Sequence, residues 1–455
     1  MRRLLPLLLL LLMMPALPAS AQQPPDASRF FPYTLNTTRL PNGLTVVRVP
    51  FNSPGIVAYV TAVRVGSRNE VEPGRTGFAH FFEHMMFKGT KANPEGQRER
   101  ILGGFGFDDN AFTTDDITVY QVYGPTAGLE KLIALEADRF QNLEYSEPAF
   151  QTEALAVLGE YHKNAAGPDL KLEETLAKTA FTRHTYQHTT LGFYEDIQAM
   201  PKAYAYSRSF FERWYTPANT TLFIVGDFND AQVVSQVTKA YGGWQRQPTS
   251  VIIPTEPPQT KQRSVHVDWP QPTQPRHVLA WHTPAARADT PDAAIQTLLA
   301  EYLVGDTSPA YKELVLEKQY VESLNVYTTP HRDPYLFPID ATLQDEKFRA
   351  DVDAVLRREV TAVAGAPVDA VRLKAIQDHL RYGLLMDLET PRDVAIDLAL
   401  YAGVMGRPDA LASYLKQLGS VTPQQITLFA RKYLEDKNLT VLTLTPKAVA
   451  AGGTP

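Results

Sequence analysis

A repeat narrows the possible folds of this chain more than any other feature. "FERWYTPANTTLFIV" (Phe211 to Val225) and "FARKYLEDKNLTVLTL" (Phe429 to Leu444) run alike. Each has Phe, an aromatic four residues on, then Asn, then a β-rich stretch. Between them "QPTSVIIPTEPPQT", residues 247–260, carries four prolines and reads as an extended linker. Two matching helix–turn–strand units, each closing its own half, predict a duplication. The plainer alternative is two chance units. A chain of 455 residues exceeds one ordinary core. The expected domains are 29–246 and 261–446, halves of about 210 and about 190 residues, each a normal domain size.

Local patterns fill in the halves. In "LPNGLTVVRVP" the pair Asn42-Gly43 signals a hairpin turn before the β-rich Leu44 to Val49. "GIVAYVTAVRVGS", "TVYQVYGP" (Thr118 to Pro125) and "TTLFIVGDF" read as strands. "AGLEKLIALEADRFQNL" repeats apolar residues at helical spacing, and "EPAFQTEALAVLGEYHKNA" predicts another helix with Pro148 in its first turn. Blocks of strands and helices with hairpin signals give an α+β fold: two related domains, each an antiparallel β-sheet with helices packed on it.

The ends read as lying outside that fold. Arg2-Arg3, an apolar stretch from Leu4 to Leu17 broken by Pro6 and Pro15, and Ala19-Ser20-Ala21 make residues 1–21 an expected signal peptide. An uncleaved anchor is the alternative, but the stretch is short for a membrane span. Residues 22–28 form a polar lead-in and 447–455 an expected disordered tail. The chain has no cysteine, so thiolate ligands, thiolate nucleophiles and lipid attachment are excluded. A periplasmic or secreted location is expected. A net charge of −6 without a long basic run gives no reason to expect nucleic acid.

"GFAHFFEHMMFKG", Gly77 to Gly89, carries the chemistry. Residues four apart share one helix face about 6 Å apart. His80 and His84 therefore point two imidazoles at one place, and Glu83 borders it. H-x-x-E-H is the inverted zincin pattern, with a carboxylate placed to take a proton from a metal-activated water. Two satisfied core histidines are the alternative. Ala79, Phe81, Phe82, Met85 and Met86 bury the segment, however, and a buried imidazole pair beside a carboxylate is costly without a counter-charge such as Zn²⁺. Zinc takes a third protein ligand and leaves a position for water. Glu153 and Glu160 lie two turns apart on one predicted helix, as either a solvated face or a metal shell.

His80, Glu83 and His84 with Glu160 placed 76 positions after His84 resemble the pitrilysin/insulinase family of zinc peptidases. The likeness extends through "LPNGLTVV", "VGSRNEVEPGRTGFAHFFEHMMFKGT", "NAFTTDDITVY" and "YTPANTTLFIVGD". It implies one zinc per chain held by His80, His84 and Glu160, Glu83 as general base, and Glu153 orienting a ligand from behind. It also implies substrate contact at Asn110 and Ala111, although Asn110 could be a plain turn residue. Short or unfolded peptides would bind as an added strand on a sheet edge, expected near Thr118 to Tyr123.

The chain departs from that family in one place. Members carry an Arg and a Tyr in the later half, where "ELVLEKQYVESLNV" (Glu313 to Val326) has Val315 or Leu316 and Glu322 or Ser323. Tyr320 is out of register and reads as a packing residue. A heterodimer with a related chain supplying the Arg/Tyr pair is therefore expected. The alternative function is a non-catalytic structural subunit that keeps the peptidase fold. Relatives of that kind lose ligands, whereas this chain keeps them all. His184 and His188 in "RHTYQHTT" read as surface residues of a polar loop.

Overall fold

The computed structural model describes residues 31–447. The expected signal peptide, the lead-in 22–28 and the tail beyond Lys447 lie outside the described residues. Lys447 itself is tied down, its N–H donating to Trp269 O.

The first half builds a six-stranded sheet from β1 (Asn36–Arg39), β2 (Thr45–Pro50), β3 (Ile56–Val63), β4 (Asp108–Thr113), β5 (Thr118–Pro125) and β6 (Thr220–Gly226). Its order is β1-β2-β6-β3-β5-β4. The second half builds five strands, β7 (Arg263–Trp269), β8 (Arg276–Thr283), β9 (Val321–Val326), β10 (Tyr335–Leu343) and β11 (Leu439–Pro446), in the order β7-β11-β8-β10-β9. Both sheets are antiparallel except at one junction each, where β2 meets β6 and β7 meets β11 in parallel. The parallel pairs arise because the last strand of each half returns beside an early one, β2 in the first half and β7 in the second, across an intervening helical excursion.

The repeated motif performs one task twice. Asn219 Nδ2 donates to Trp214 O at 2.9 Å and to Arg64 O, just past β3. Asn438 Nδ2 donates to Tyr433 O at 2.7 Å and to His282 O on β8 at 2.8 Å. In both halves the amide fastens the preceding helix end to the neighbouring central strand. The two halves are thus related.

Every residue of β3 from Val57 onward is buried, on alternate faces. Val57, Tyr59 and Val63 face the first half's own helices; Ala58, Val60 and Ala62 face the other way. That outer face is covered by a helix of the second half, Pro391–Met405, through Val394, Ala395, Leu398 and Ala399. Gly403 permits the approach, since a Cβ there would stand 2.8 Å from Ile117. The cover is reciprocal. The first-half helix Pro168–Ala180 lays Leu172 and Leu176 on Val267, Val278, Leu442 and Leu444 of the second sheet. Residues 247–260 join the halves without helix or strand. They are held by Glu256, whose carboxylate accepts the backbone N–H groups of Thr182, Arg183 and His184.

Two expectations are corrected here. Thr118 to Tyr123 is not an edge: β5 lies between β3 and β4, because the β4–β5 hairpin leaves β4 outermost. His184 and His188 are not surface residues; each is only 3% exposed. Their loop threads between the halves, where His184 Nε2 meets Asp333 at 3.0 Å and His188 lies 3.8 Å from the buried Glu70.

Candidate metal centre

Helix α1 (Phe78–Met85) carries three of the expected site residues. Its apolar side chains lock it in place. Phe78 and Phe81 stand edge to face, and Phe82 stacks on Phe210 and Phe211. Its N-terminus is fixed by Glu70, whose two carboxylate oxygens accept the N–H groups of Gly77 and Ala79, each at 2.7 Å. A carboxylate at this end also meets the positive end of the helix dipole. Gly77 is required at φ +86°, where a Cβ would also strike Leu191 O.

The helix Glu147–Asn164 crosses α1 and supplies the two carboxylates. Ser146 caps it, accepting from Ala149 N–H, and Pro148 sits in its first turn. His80 Nε2 and His84 Nε2 each lie 3.5 Å from Glu160 Oε2. That separation is too long for a normal N–H···O bond. It is close to the ~3.3–3.4 Å between two ligand atoms bound at ~2.0–2.1 Å to one tetrahedral ion. The three residues offer ligand atoms all within 4.8 Å of one another, the one such group among the described residues. The donor set therefore fits a divalent ion such as zinc. Glu160 is the most exposed of the three, so the site opens to solvent on its side.

Burial and the adjacent His84 push His80 down to about 4, so it is neutral at pH 7, the form that binds metal. His84 Nδ1 is 2.8 Å from Glu153 Oε1, and this bond raises the His84 pKa. The same bond, reinforced by Lys88 Nζ at 2.7 Å, pulls Glu153 down to about 2. With Glu153 ionised, Nδ1 keeps the proton and Nε2 turns its lone pair towards Glu160. The sequence alone does not single out Lys88, since a lysine four residues after His84 is a weak signal without the fold.

Glu83 is pushed up by burial, an effect opposed by the Thr113 hydroxyl, which donates to its Oε2 at 2.7 Å. Asn110 and Ala111 lie on β4, the outer strand, so Asn110 is no turn residue. Asn110 Oδ1 accepts the N–H of Ala111 at 2.9 Å. β4 is held by Asp109, which pairs with Arg98, itself bound to the buried Glu136. In the second half, Val315 and Leu316 lie on a helical turn, Glu322 and Ser323 lie on β9, and Tyr320 stacks on Phe348.

Two sequence models match the chain. "Insulinase (Peptidase family M16)" matches residues 54–192 and "Peptidase M16 inactive domain" matches residues 204–380. Together they span more than two thirds of the chain. The chain is 28% identical to "Zinc protease PqqE" of Helicobacter pylori, over 90% of this chain and 92% of that protein. It is 24% identical to "Probable mitochondrial-processing peptidase subunit beta" of Arabidopsis thaliana, over 90% and 78%. Among solved structures, a protease from Helicobacter pylori superposes with a TM-score of 0.84 at 26% identity, covering 91% of this chain and 100% of that one.

Proposed function

The chain belongs to the M16, or insulinase, family of peptidases, and on that premise we propose that it is a zinc-dependent metalloendopeptidase of short or unfolded peptides. The observation carrying this is the pair of imidazole Nε2 atoms, each 3.5 Å from one Glu160 oxygen. His80, His84 and Glu160 would hold the ion. When bound, zinc supplies Lewis acidity, lowering the pKa of a water and polarising the scissile carbonyl.

The chain's own residues supply the rest. Glu83 stands next to His84 with one oxygen held by Thr113, and takes the water's proton as general base. It then passes that proton to the leaving amine. Glu153 and Lys88 keep His84 in the tautomer that leaves Nε2 free. β4 offers the open edge to a peptide strand, with Asn110 and Ala111 at the point of contact. The second half carries no Arg/Tyr pair at the matching positions, so a related partner chain supplies it, as a heterodimer. The protein works in the periplasm or outside the cell after loss of residues 1–21. Among the described residues no helix is long and apolar enough to cross a membrane.

Metal analysis with a quenched-peptide assay, with and without chelator, tests the assignment. Glu83→Gln should keep zinc and lose about 10²–10⁴-fold in kcat. A fully active Glu83→Gln protein removes the proposed base. Full activity of the purified single chain as a monomer removes the partner. A zinc-loaded wild type that cleaves no peptide in any assembly favours a structural subunit.

A further inference from the structure

We propose that Thr113 is the positioning residue of Glu83, and that through it the addition of a peptide strand to β4 is coupled to the orientation of the base. This rests on the peptidase function proposed above. The first observation is the short O–H···O contact at 2.7 Å, from a neutral hydroxyl to a carboxylate. Hydrogen bonds of this charge-assisted kind are roughly twice as strong as neutral ones. Among the described residues Thr113 is the one side chain hydrogen-bonded to Glu83, and it engages Oε2 alone.

The second observation is where Thr113 sits. It ends β4, the outer strand of the sheet, opposite Thr118 of β5. Backbone groups of a strand point alternately to its two sides. The Ala111 N–H is engaged by its neighbour Asn110 Oδ1. The Thr114 N–H turns inward, to Ile117 O in the hairpin. Ala111 and Thr113 therefore share the open side, where an added strand would pair. Thr113 thus presents its backbone to the substrate edge and its hydroxyl to the base.

The remainder of β4 is anchored. Asp109 is bound to Arg98, whose side chain is 5% exposed and is itself fixed by Glu136. A strand pinned at Asp109 and free along its outer side transmits a small shift at its far end to the groups attached there. Glu83 needs such support. A base misplaced by about 1 Å costs on the order of 10²-fold in rate.

The test compares Thr113→Val, Thr113→Ala and Thr113→Ser in the zinc-loaded full chain, in the assembly in which the wild type is active. Val and Ala should lower kcat about 10–100-fold. KM, zinc content and Tm should stay near wild type, because the metal ligands and the strand edge are intact. Ser, which keeps the hydroxyl, should restore most of kcat. Combined with Glu83→Gln, Thr113→Val should cause no further loss, since it acts through that carboxylate. A crystal structure of Thr113→Val should show the Glu83 carboxylate displaced or split between two positions. Wild-type kcat in the Val and Ala proteins overturns the proposal. So does a fall of Tm and zinc content parallel to kcat, equal loss in Ser and Val, or an unmoved Glu83 in the crystal. An inactive, zinc-loaded wild type overturns the peptidase assignment itself, and this proposal with it.

Discussion

Cutting the chain at its linker should destroy both halves as independent folding units. The first half alone, residues 22–246, keeps a complete six-stranded sheet but loses the helix Pro391–Met405 from its outer face. That face carries Val47, Val49, Val60, Ile117, Val119, Phe223 and Val225, each 0% exposed in the intact chain. Full burial of such a side chain contributes about 1.5–3 kcal/mol. The seven together represent on the order of 10–20 kcal/mol. Even half of that matches the whole stability of a typical domain, about 5–15 kcal/mol. The uncovered face would also form a contiguous apolar patch, which drives association. The fragment should therefore be insoluble or aggregated when expressed alone. Co-expressed with residues 247–455 it should be recovered as a one-to-one complex. The assay is size-exclusion chromatography with light scattering, followed by thermal unfolding monitored by circular dichroism. A monomeric 22–246 fragment that unfolds cooperatively within a few degrees of the full chain would refute the energetic reasoning, because the outer face would then not need its cover.

Glu153→Ala should weaken zinc binding about 10–100-fold in a chelator-competition titration while leaving the far-ultraviolet spectrum unchanged, because His84 loses the carboxylate that fixes its tautomer. Undiminished affinity would show that Glu153 does not orient the ligand. Asp397, in a partly open cavity, is pushed up to about 6 by burial and by the charges of Asp387 and Asp393. A carboxyl raised in the folded state binds its proton more tightly there, so stability falls as pH climbs from the ordinary 3.8 through about 6. At about 1.4 kcal/mol per pH unit the ceiling is about 3 kcal/mol. Partial solvent access reduces this to about 1–2 kcal/mol. Asp397→Asn should thus raise Tm at pH 7.5 and leave it nearly unchanged at pH 4; equal gains at both pH values would exclude a titration effect.

Much of the chemistry was legible in the order of residues. The spacing of His80 and His84 is a property of any α-helix, so their convergence needed no tertiary information. The Asn219 and Asn438 motifs repeat because each solves the same local problem, a helix end meeting a strand. The apolar run of β3 read as a strand, but it could not show what would cover its two faces, since a covering helix may come from anywhere in the chain. Tertiary structure alone decided that the halves exchange helices, and that β4 rather than β5 is the edge. It alone buried His184 against Asp333 of the second half and His188 beside Glu70, and completed the row Lys88–Glu153–His84. The physical reason is common to all of these. Helical and strand periodicity fix which side chains share a face, whereas the partner of that face is set by packing across long stretches of sequence, where hydrophobic contact carries no address.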